Sequence, residues 1–322
     1  MSRFGITLGD PCGIGVEITL KALQAKSEYQ KDVLLFGTLS LLHYYAKRLG
    51  YTMRFHQILS IDEWEEGAIN VYDPFPVIRE EIEIGKVSKL GGEIAFLSVK
   101  AAIEFALRGD IASVVTAPLN KEALHLAGHK FAGHTEIFGH YTHGESYAML
   151  LWSEKLKVIH VSTHVSLREA CDRCTKARVL DVIHLAQQTM VKTGITYPRI
   201  AVAGLNPHAG ENGLFGREEI EQIIPAIEEA RKEGLSVEGP IPPDTVFVRA
   251  LKGAWDIIVV MYHDQGHIPL KMLAFDSGVN ITVGLDVLRT SVDHGTAFDI
   301  ADKLVASEQS MLEAISIGHK LA

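Results

Sequence analysis

The stretch Ile200-Ala-Val-Ala-Gly-Leu-Asn-Pro-His208-Ala-Gly-Glu211 decides the fold of this chain. Its first four residues form a short apolar run typical of a buried strand, and the Gly, Asn and Pro that follow are typical of a turn. A segment with helical periodicity comes next, at residues 218–232, and another apolar run follows at residues 256–261. Strand, turn, helix and strand in this order predict an α/β fold with a largely parallel sheet, or two such sheets.

The same alternation extends along the whole chain. Further strand-like runs lie at residues 4–8, 32–36, 113–116, 158–162 and 279–283, and helical periodicity recurs at residues 92–107 and 177–193. A chain of 322 residues exceeds the size at which single cores usually stop growing. We therefore expect two lobes, with a ligand cleft between them.

Charge and cysteine content restrict the class of protein. The chain has 31 Lys and Arg against 40 Asp and Glu, a formal net charge of −9, which argues against nucleic acid or an anionic membrane as partner. No apolar stretch approaches the roughly 20 residues that span a bilayer. The first residues are interpreted as a short strand that reaches a Gly-rich turn at once, which leaves no room for a signal peptide.

Three cysteines, Cys12, Cys171 and Cys174, are too few for a disulfide framework and favour a cytoplasmic location. The C-x-x-C pair is interpreted as a helix that carries two cysteines.

Three histidines, His164, His208 and His263, lie in polar segments that each follow a strand-like run. Ligands bind at the carboxyl ends of strands in open α/β sheets, so these imidazoles suggest one metal or catalytic site. A single histidine after a strand is more typical of an ordinary polar residue, and the hypothesis depends on their joint occurrence. A partly open all-His site suits Zn²⁺, Co²⁺ or Mn²⁺.

Other polar segments are candidates for ligand binding. Residues 9–15, Gly-Asp-Pro-Cys-Gly-Ile-Gly, depart from the dinucleotide fingerprint and favour a tight turn where backbone approaches the cleft. His134 and Thr135, beside Gly133, are typical of an oxyanion or phosphate contact. Lys271, Asn280 and Arg289, the last two flanking the run at 279–283, are candidates for clamping a phosphate or carboxylate. Residues 291–301 form a Gly-bearing loop that we expect to open the last helix, and its simplest interpretation is an N-cap loop.

Together, several motifs resemble the 4-hydroxythreonine-4-phosphate dehydrogenase family, nearly from end to end. They are Gly9-Asp-Pro-Cys-Gly-Ile-Gly, Gly133-His-Thr-Glu, Gly204-Leu-Asn-Pro-His-Ala-Gly-Glu, Pro243-Asp-Thr-Val-Phe, Met261-Tyr-His-Asp-Gln-Gly, Gly278-Val-Asn-Ile-Thr and Arg289-Thr-Ser-Val-Asp-His-Gly-Thr-Ala. The segment His294-Gly-Thr-Ala-Phe-Asp-Ile-Ala is also similar to the adenosine-binding loop of isocitrate and isopropylmalate dehydrogenases, where proline usually stands at the position of Phe298.

The resemblance implies two α/β/α lobes of the isocitrate/isopropylmalate dehydrogenase type. The first is expected at residues 1–125 plus 285–322, with the cofactor loop, and the second at 126–284, with metal and substrate residues and the dimer interface. It also implies one divalent metal, with Mg²⁺ as a fourth candidate, and NAD, with NADP left open. The resemblance implies that His164, His208 and His263 bind the metal, with the ligands shared across a homodimer. It implies that the substrate is bound by His134, Thr135, Lys271, Asn280 and Arg289. It implies that the cofactor is bound by His294, Gly295, Thr296, Ala297 and Asp299. Asp244 and His134 are the candidates for proton transfer.

Within this family, the segments at 117–128, 157–164, 211–216 and 265–271 are closer to the branch that acts on 4-phospho-D-threonate and 4-phospho-D-erythronate. The implied reaction is oxidation of the C3 hydroxyl with decarboxylation of the 3-keto acid, which gives dihydroxyacetone phosphate from phosphothreonate. Three alternatives stay open: the vitamin B6 dehydrogenase acting on 4-phosphohydroxy-L-threonine, a metal-dependent hydrolase or phosphate-handling transferase, and a non-catalytic ligand-binding protein.

Overall fold

The computed structural model describes residues 3–142, 146–274 and 278–322. Within them lie the strands β1 (Phe4–Thr7), β2 (Val33–Phe36), β3 (Phe55–Ile58), β4 (Ile69–Tyr72), β5 (Val114–Thr116), β6 (Ala148–Trp152), β7 (Lys157–His160), β8 (Ile200–Ala203), β9 (Val237–Ile241), β10 (Ile257–Val260), β11 (Val279–Val283) and β12 (Arg289–Ser291). The α-helices are α1 (Gly15–Ala25), α2 (Leu39–Leu49), α3 (Lys89–Leu107), α4 (Lys121–Leu126), α5 (His134–Tyr141), α6 (Leu167–Arg173), α7 (Lys176–Lys192), α8 (Ile224–Lys232), α9 (Pro243–Leu251), α10 (His263–Ala274) and α11 (Gln309–Leu321). The α/β class expected from the sequence is confirmed.

The described chain forms two compact units. The first contains residues 3–142, 285–320 and 322, and the second contains 146–274, 278–284 and 321. The sequence placed residues 126–142 in the second lobe, whereas they belong to the first unit. The reason is packing: Ile137 and Phe138 of α5 are fully buried in one apolar core with Phe96 and Val99 of α3.

The first unit contains a parallel sheet with strand order β3-β4-β2-β1-β5-β12. All four residues of β1 and of β2 are buried. Continuous burial is typical of parallel strands that are covered on both faces. The carboxyl end of β1 leads directly into the Gly-rich turn at residues 9–15.

The second unit contains a mixed sheet with order β11-β6-β7-β10-β8-β9. β6 pairs antiparallel with both β11 and β7, while β7, β10, β8 and β9 are mutually parallel. The carboxyl ends of β7, β10 and β8 therefore lie side by side at one edge. In the part of the chain that the structure describes, no helix combines the length and apolar character needed to cross a bilayer.

Candidate active site

The three histidines singled out in the sequence follow three neighbouring parallel strands. His164 follows β7, His263 follows β10 and His208 follows β8. Backbone and side-chain bonds join the first two strand ends, since the Val161 N–H donates to the Val260 carbonyl at 2.8 Å and Ser162 Oγ donates to the Met261 carbonyl at 2.9 Å. The ring centroids of His164 and His263 lie 5.7 Å apart.

His263 has the surroundings that a metal-binding imidazole needs. Its Nδ1 lies 2.7 Å from Asp264 Oδ1 and donates to that carboxylate, which orients the ring and leaves Nε2 as the nitrogen for a metal. One face of the ring stacks on His267 at 3.6 Å, and His267 Nδ1 donates to the His263 carbonyl at 3.0 Å. Burial, followed by the nearby His263, lowers the pKa of His267 to about 4, which keeps that ring neutral near pH 7.

His208 lies in a backbone turn of unusual conformation. The turn Pro207–Gly213 follows β8, and five successive residues from His208 to Asn212 have φ between 43° and 78°. Only Gly210 among them lacks a Cβ atom, and each non-glycine residue in this left-handed region costs about 1–3 kcal/mol. Backbone strain of this size persists where surrounding contacts hold it, which is common at functional sites.

The described residues of one chain do not complete a metal site. Over residues 3–142, 146–274 and 278–322, no three His, Cys, Asp or Glu side chains are grouped so that they could hold one ion. His164 and His263 are near neighbours, while His208 does not join them in a set of three. The donor chemistry of His263, with its Nδ1 bonded to the Asp264 carboxylate, fits a divalent metal.

A buried arginine in the first unit forms a candidate anion subsite. Arg289, only 4% exposed, donates from Nε to Thr116 Oγ1 at 3.1 Å and from Nη1 to Thr135 Oγ1 at 3.4 Å. Burial lowers the pKa of Arg289 to about 10, opposed by Glu136, so the side chain remains a cation at neutral pH. A buried cation beside hydroxyl groups suits a phosphate or carboxylate.

His134 extends this subsite. It is the first residue of α5, after Gly133, so the free N–H groups of the helix start lie beside Arg289. Burial and the Arg289 charge lower the pKa of His134 well below its usual range, which keeps the ring neutral. Its buried Nε2 has no hydrogen-bond partner among the described residues. A neutral imidazole with an open nitrogen can accept or donate a proton at a bound ligand.

The other two expected substrate residues belong to the second unit. Lys271 lies in the last turn of α10 and is partly exposed. Asn280 lies inside β11, and its Nδ2 is 3.7 Å from Met149 Sδ. The run predicted at 279–283 coincides with β11, so Asn280 is the second residue of the strand rather than a residue beside it.

The expected cofactor loop, His294 to Asp299, lies after β12 in the first unit. It does not open the last helix, since α11 begins only at Gln309. The loop packs on the Gly-rich turn: the Ile14 N–H donates to the Thr296 carbonyl at 3.1 Å, and a Cβ at Gly13 would lie 2.7 Å from the same oxygen. His294, Gly295 and Asp299 are exposed, while Thr296 is buried. The loop thus combines a fixed centre with accessible flanks, which fits a cofactor-binding role.

Asp244 and the cysteines can be assigned to local structure. Asp244 is exposed in the first turn of α9, directly after Pro243, the first residue of that helix. Cys171 lies in α6 and Cys174 is its C-cap, which confirms a helix-associated pair. Cys174 Sγ lies 3.5 Å from Met261 Sδ.

Two polar residues in the structure were not identified as important from the sequence. Asp10 is fully buried in the Gly-rich turn, its Oδ1 accepts the Cys12 N–H at 2.9 Å, and burial raises its pKa to about 6. Glu219 is 2% exposed and contacts the segment before His208. Asp10 stands out as the one carboxylate within a Gly-rich turn, whereas Glu219 lies in an acidic segment, Arg217-Glu-Glu-Ile-Glu, where it cannot be told from surface residues.

Known proteins resemble this chain over nearly its full length. A family model described as pyridoxal phosphate biosynthetic protein PdxA matches residues 29–318. D-threonate 4-phosphate dehydrogenase of Salmonella typhimurium is 50% identical over 320 residues, 98% of each chain. The enzyme of the same name from Cupriavidus necator is 47% identical over 322 residues, 99% of this chain and 96% of its own.

A solved structure also resembles this chain over its full length. The crystal structure of 4-hydroxythreonine-4-phosphate dehydrogenase from Klebsiella pneumoniae has 44% sequence identity and a TM-score of 0.89, and the match covers 100% of both chains. Likeness in sequence and in backbone thus extends over the strands that carry the three histidines and over the anion subsite. The chain is a member of the PdxA family.

Proposed function

We propose that this protein is an NAD-dependent and divalent-metal-dependent dehydrogenase of 4-phospho-D-threonate or 4-phospho-D-erythronate. It oxidises the C3 hydroxyl and decarboxylates the resulting 3-keto acid. The observation that carries the proposal is the buried Arg289 held by Thr116 and Thr135 beside neutral His134, a group suited to an anionic substrate. The name of the full-length relatives from Salmonella typhimurium and Cupriavidus necator supports phosphorylated threonate as that substrate.

His164, His208 and His263 are the proposed metal ligands, with the set completed across a homodimer. Support comes from the 5.7 Å spacing of the His164 and His263 ring centroids. Large apolar side chains near both His208 and His263 in the sequence are exposed, as in a surface that a second subunit covers. They are Leu214 (72% exposed), Phe215 (48%), Ile268 (56%) and Met272 (85%).

The remaining roles follow from charge and protonation. Arg289 and Lys271 are the proposed cations for the phosphate, with Asn280 and Thr135 as hydrogen-bond partners. His164, His208 and His263 would hold a metal that supplies a Lewis acid for the C3 oxygen, and residues His294 to Asp299 would hold NAD as the hydride acceptor. Neutral His134 and ionisable Asp244 are the candidates to accept and return the protons released from the hydroxyl and needed at the product carbon.

A second candidate is the 4-phosphohydroxy-L-threonine dehydrogenase of pyridoxal phosphate synthesis. The description of the matching family model and the name of the Klebsiella pneumoniae enzyme favour it. The substrates differ in one group at C2, a hydroxyl in one and an ammonium in the other. A site that hydrogen-bonds this group can separate such analogues by several orders of magnitude, so a direct comparison of turnover is decisive.

The test is NAD⁺ reduction by metal-loaded protein with 4-phospho-D-threonate, 4-phospho-D-erythronate and 4-phosphohydroxy-L-threonine in parallel. Turnover of the first two supports the proposal. Preference for the amino substrate supports the second candidate, and absence of any NADH signal with all three contradicts both dehydrogenases and favours hydrolase or transferase chemistry.

Histidine variants test the shared metal site. His208→Ala should abolish metal-dependent turnover while circular dichroism stays unchanged, and His184→Ala, a histidine paired with Glu233 on the surface, should remain active. If ligands come from two subunits, co-refolding His208→Ala with His263→Ala chains should restore activity, because one of the two sites in a hybrid dimer carries neither substitution. Full activity of metal-free protein would contradict the metal assignment.

A further inference from the structure

The His208 turn needs support from outside its own sequence. Four of its five left-handed residues, at 208, 209, 211 and 212, carry a Cβ atom and have φ values of 53°, 54°, 43° and 54°. A short run of this kind is not self-stabilising, since local backbone sterics oppose it at each residue. Contacts that fix its ends and its centre must therefore hold it in place.

Glu219 makes those contacts. Its Oε1 accepts the backbone N–H groups of both Leu205 and Asn206 at 2.8 Å, and its Oε2 accepts Asn206 Nδ2 at 3.0 Å. The same carboxylate lies against the centre of the turn, because a Cβ built on Gly210 would be 2.6 Å from Oε2. One buried side chain thus bonds the chain where it leaves β8 and packs against the centre of the turn.

Glu219 also lies at a point of unusual helix geometry. This residue begins a π-helical segment, Glu219–Ile223, that continues into α8. π-Helical turns are rare and occur frequently at functional sites. Glu219 is buried, whereas its neighbours Ile220 and Glu221 are exposed. Glu218 also accepts Asn206 Nδ2, on its Oε2 at 2.7 Å, but Glu219 alone of these two carboxylates accepts the backbone N–H groups of Leu205 and Asn206.

We propose that Glu219 is the positioning residue for His208, holding the left-handed turn so that the imidazole is presented for metal binding. This inference rests on the proposed function, in which His208 is a ligand. A carboxylate suits the role because it offers only acceptors to three N–H donors. Glutamine would keep one oxygen but turn an NH₂ group toward the NH₂ of Asn206, so the contact to Oε2 becomes repulsive.

The test compares Glu219→Gln with Glu221→Gln in the full-length protein after removal of metal by a chelator. Glu221 is a matched control, since it lies in the same segment, is exposed and accepts a hydrogen bond from Arg217 Nε at 2.6 Å. The readouts are Co²⁺ affinity, measured from the visible absorption of the bound ion, and deuterium exchange of the backbone amides at 205–212.

We expect Glu219→Gln to weaken Co²⁺ binding about 10-fold or more and to speed exchange at 205–212. Residues that orient metal ligands typically contribute 10- to 100-fold to metal affinity. Glu221→Gln should match the wild type.

Each outcome decides the inference. Equal Co²⁺ affinity in wild type and Glu219→Gln overturns the inference while the metal role of His208 stands. A wild type that binds no Co²⁺ overturns both the inference and the metal part of the proposed function. If Glu219→Gln does not fold, Asn206→Ala replaces it: loss of one donor should weaken Co²⁺ binding and speed exchange to a smaller extent, and wild-type values in both readouts would overturn the proposal.

Discussion

The side-chain amide of Gln265 donates from Nε2 to the carbonyl oxygen of Gly204 at a distance of 2.7 Å. Its Oε1 accepts the Met261 N–H at 2.6 Å, and the residue is 6% exposed. Gly204 follows β8 and precedes His208, while Met261 follows β10 and precedes His263. One buried amide therefore connects the two strand ends from which these histidines extend.

Replacement of Gln265 by glutamate should destabilise the protein. Glutamate is nearly isosteric and can still accept the Met261 N–H, but its second oxygen would face the Gly204 carbonyl, leaving two buried acceptors in contact. Loss of such a buried bond costs about 1–3 kcal/mol of unfolding free energy. Urea denaturation measures the change, with Gln188→Glu, an exposed residue of α7, as the control. Equal stabilities of the two variants would show that the amide bridge contributes little.

The sequence predicted the strand ends well because burial there is continuous. The apolar runs at 200–203 and 279–283 coincide with β8 and β11. The run at 256–261 contains β10, and the run at 158–162 covers β7 except for its first residue, Lys157. Fully buried strands bounded by Gly, Pro or Asn give a strong local pattern. By contrast, β3 was not predicted, since three of its four residues are partly or fully exposed and its pattern is weak.

Contacts between distant segments were beyond sequence reasoning. The Gly-rich turn and the cofactor loop were identified separately, yet nothing in either sequence shows that Ile14 bonds to Thr296. In the same way, Glu219 looks like a surface residue of an acidic helix. Its role depends on a π-helical segment and a left-handed turn, and both are set by tertiary packing rather than by local propensity.

Substitution of Gly13 by alanine should impair cofactor binding. The new Cβ would lie 2.7 Å from the Thr296 carbonyl and 3.0 Å from Thr296 Cβ, so the loop must move. We expect the KM for NAD⁺ to rise, while the affinity for the phosphorylated substrate in the absence of NAD⁺ stays unchanged. Gly318→Ala in α11, where no described atom lies nearer than 3.4 Å, is the control and should leave both values unchanged. An unchanged KM for NAD⁺ in Gly13→Ala would argue against a cofactor role for this loop.

Asp10 should make stability depend on pH. Burial raises its pKa from 3.8 to about 6 in the folded protein, so the folded state binds a proton more readily than the unfolded state. The ionised carboxylate therefore opposes folding above pH 6 by roughly 2–3 kcal/mol, and this penalty disappears as the pH falls from 6 to below 4.

Asp10→Asn removes this titration and keeps an oxygen for the Cys12 N–H. The variant should be more stable than the wild type at pH 7.5, and the difference should shrink steadily toward pH 4.5. Chemical denaturation of the variant and the wild type at pH 4.5, 6 and 7.5 measures this difference. A constant difference for Asp10→Asn would mean that the carboxyl group titrates normally in the folded state.

Replacement of Arg289 by lysine should separate substrate binding from cofactor binding. Lysine keeps the positive charge but has no planar fork, so it cannot donate to both Thr116 and Thr135 as Arg289 does. A charge-assisted bond lost in a buried site corresponds to about 10- to 100-fold in affinity. We expect the KM for the phosphorylated substrate to rise by about that factor, with the KM for NAD⁺ unchanged. The control is Arg108→Lys, a surface residue of the same unit that pairs with Asp110 at 2.9 Å and should leave both constants unchanged. A parallel rise of both constants in Arg289→Lys would place this arginine in general support of the fold rather than at the substrate anion.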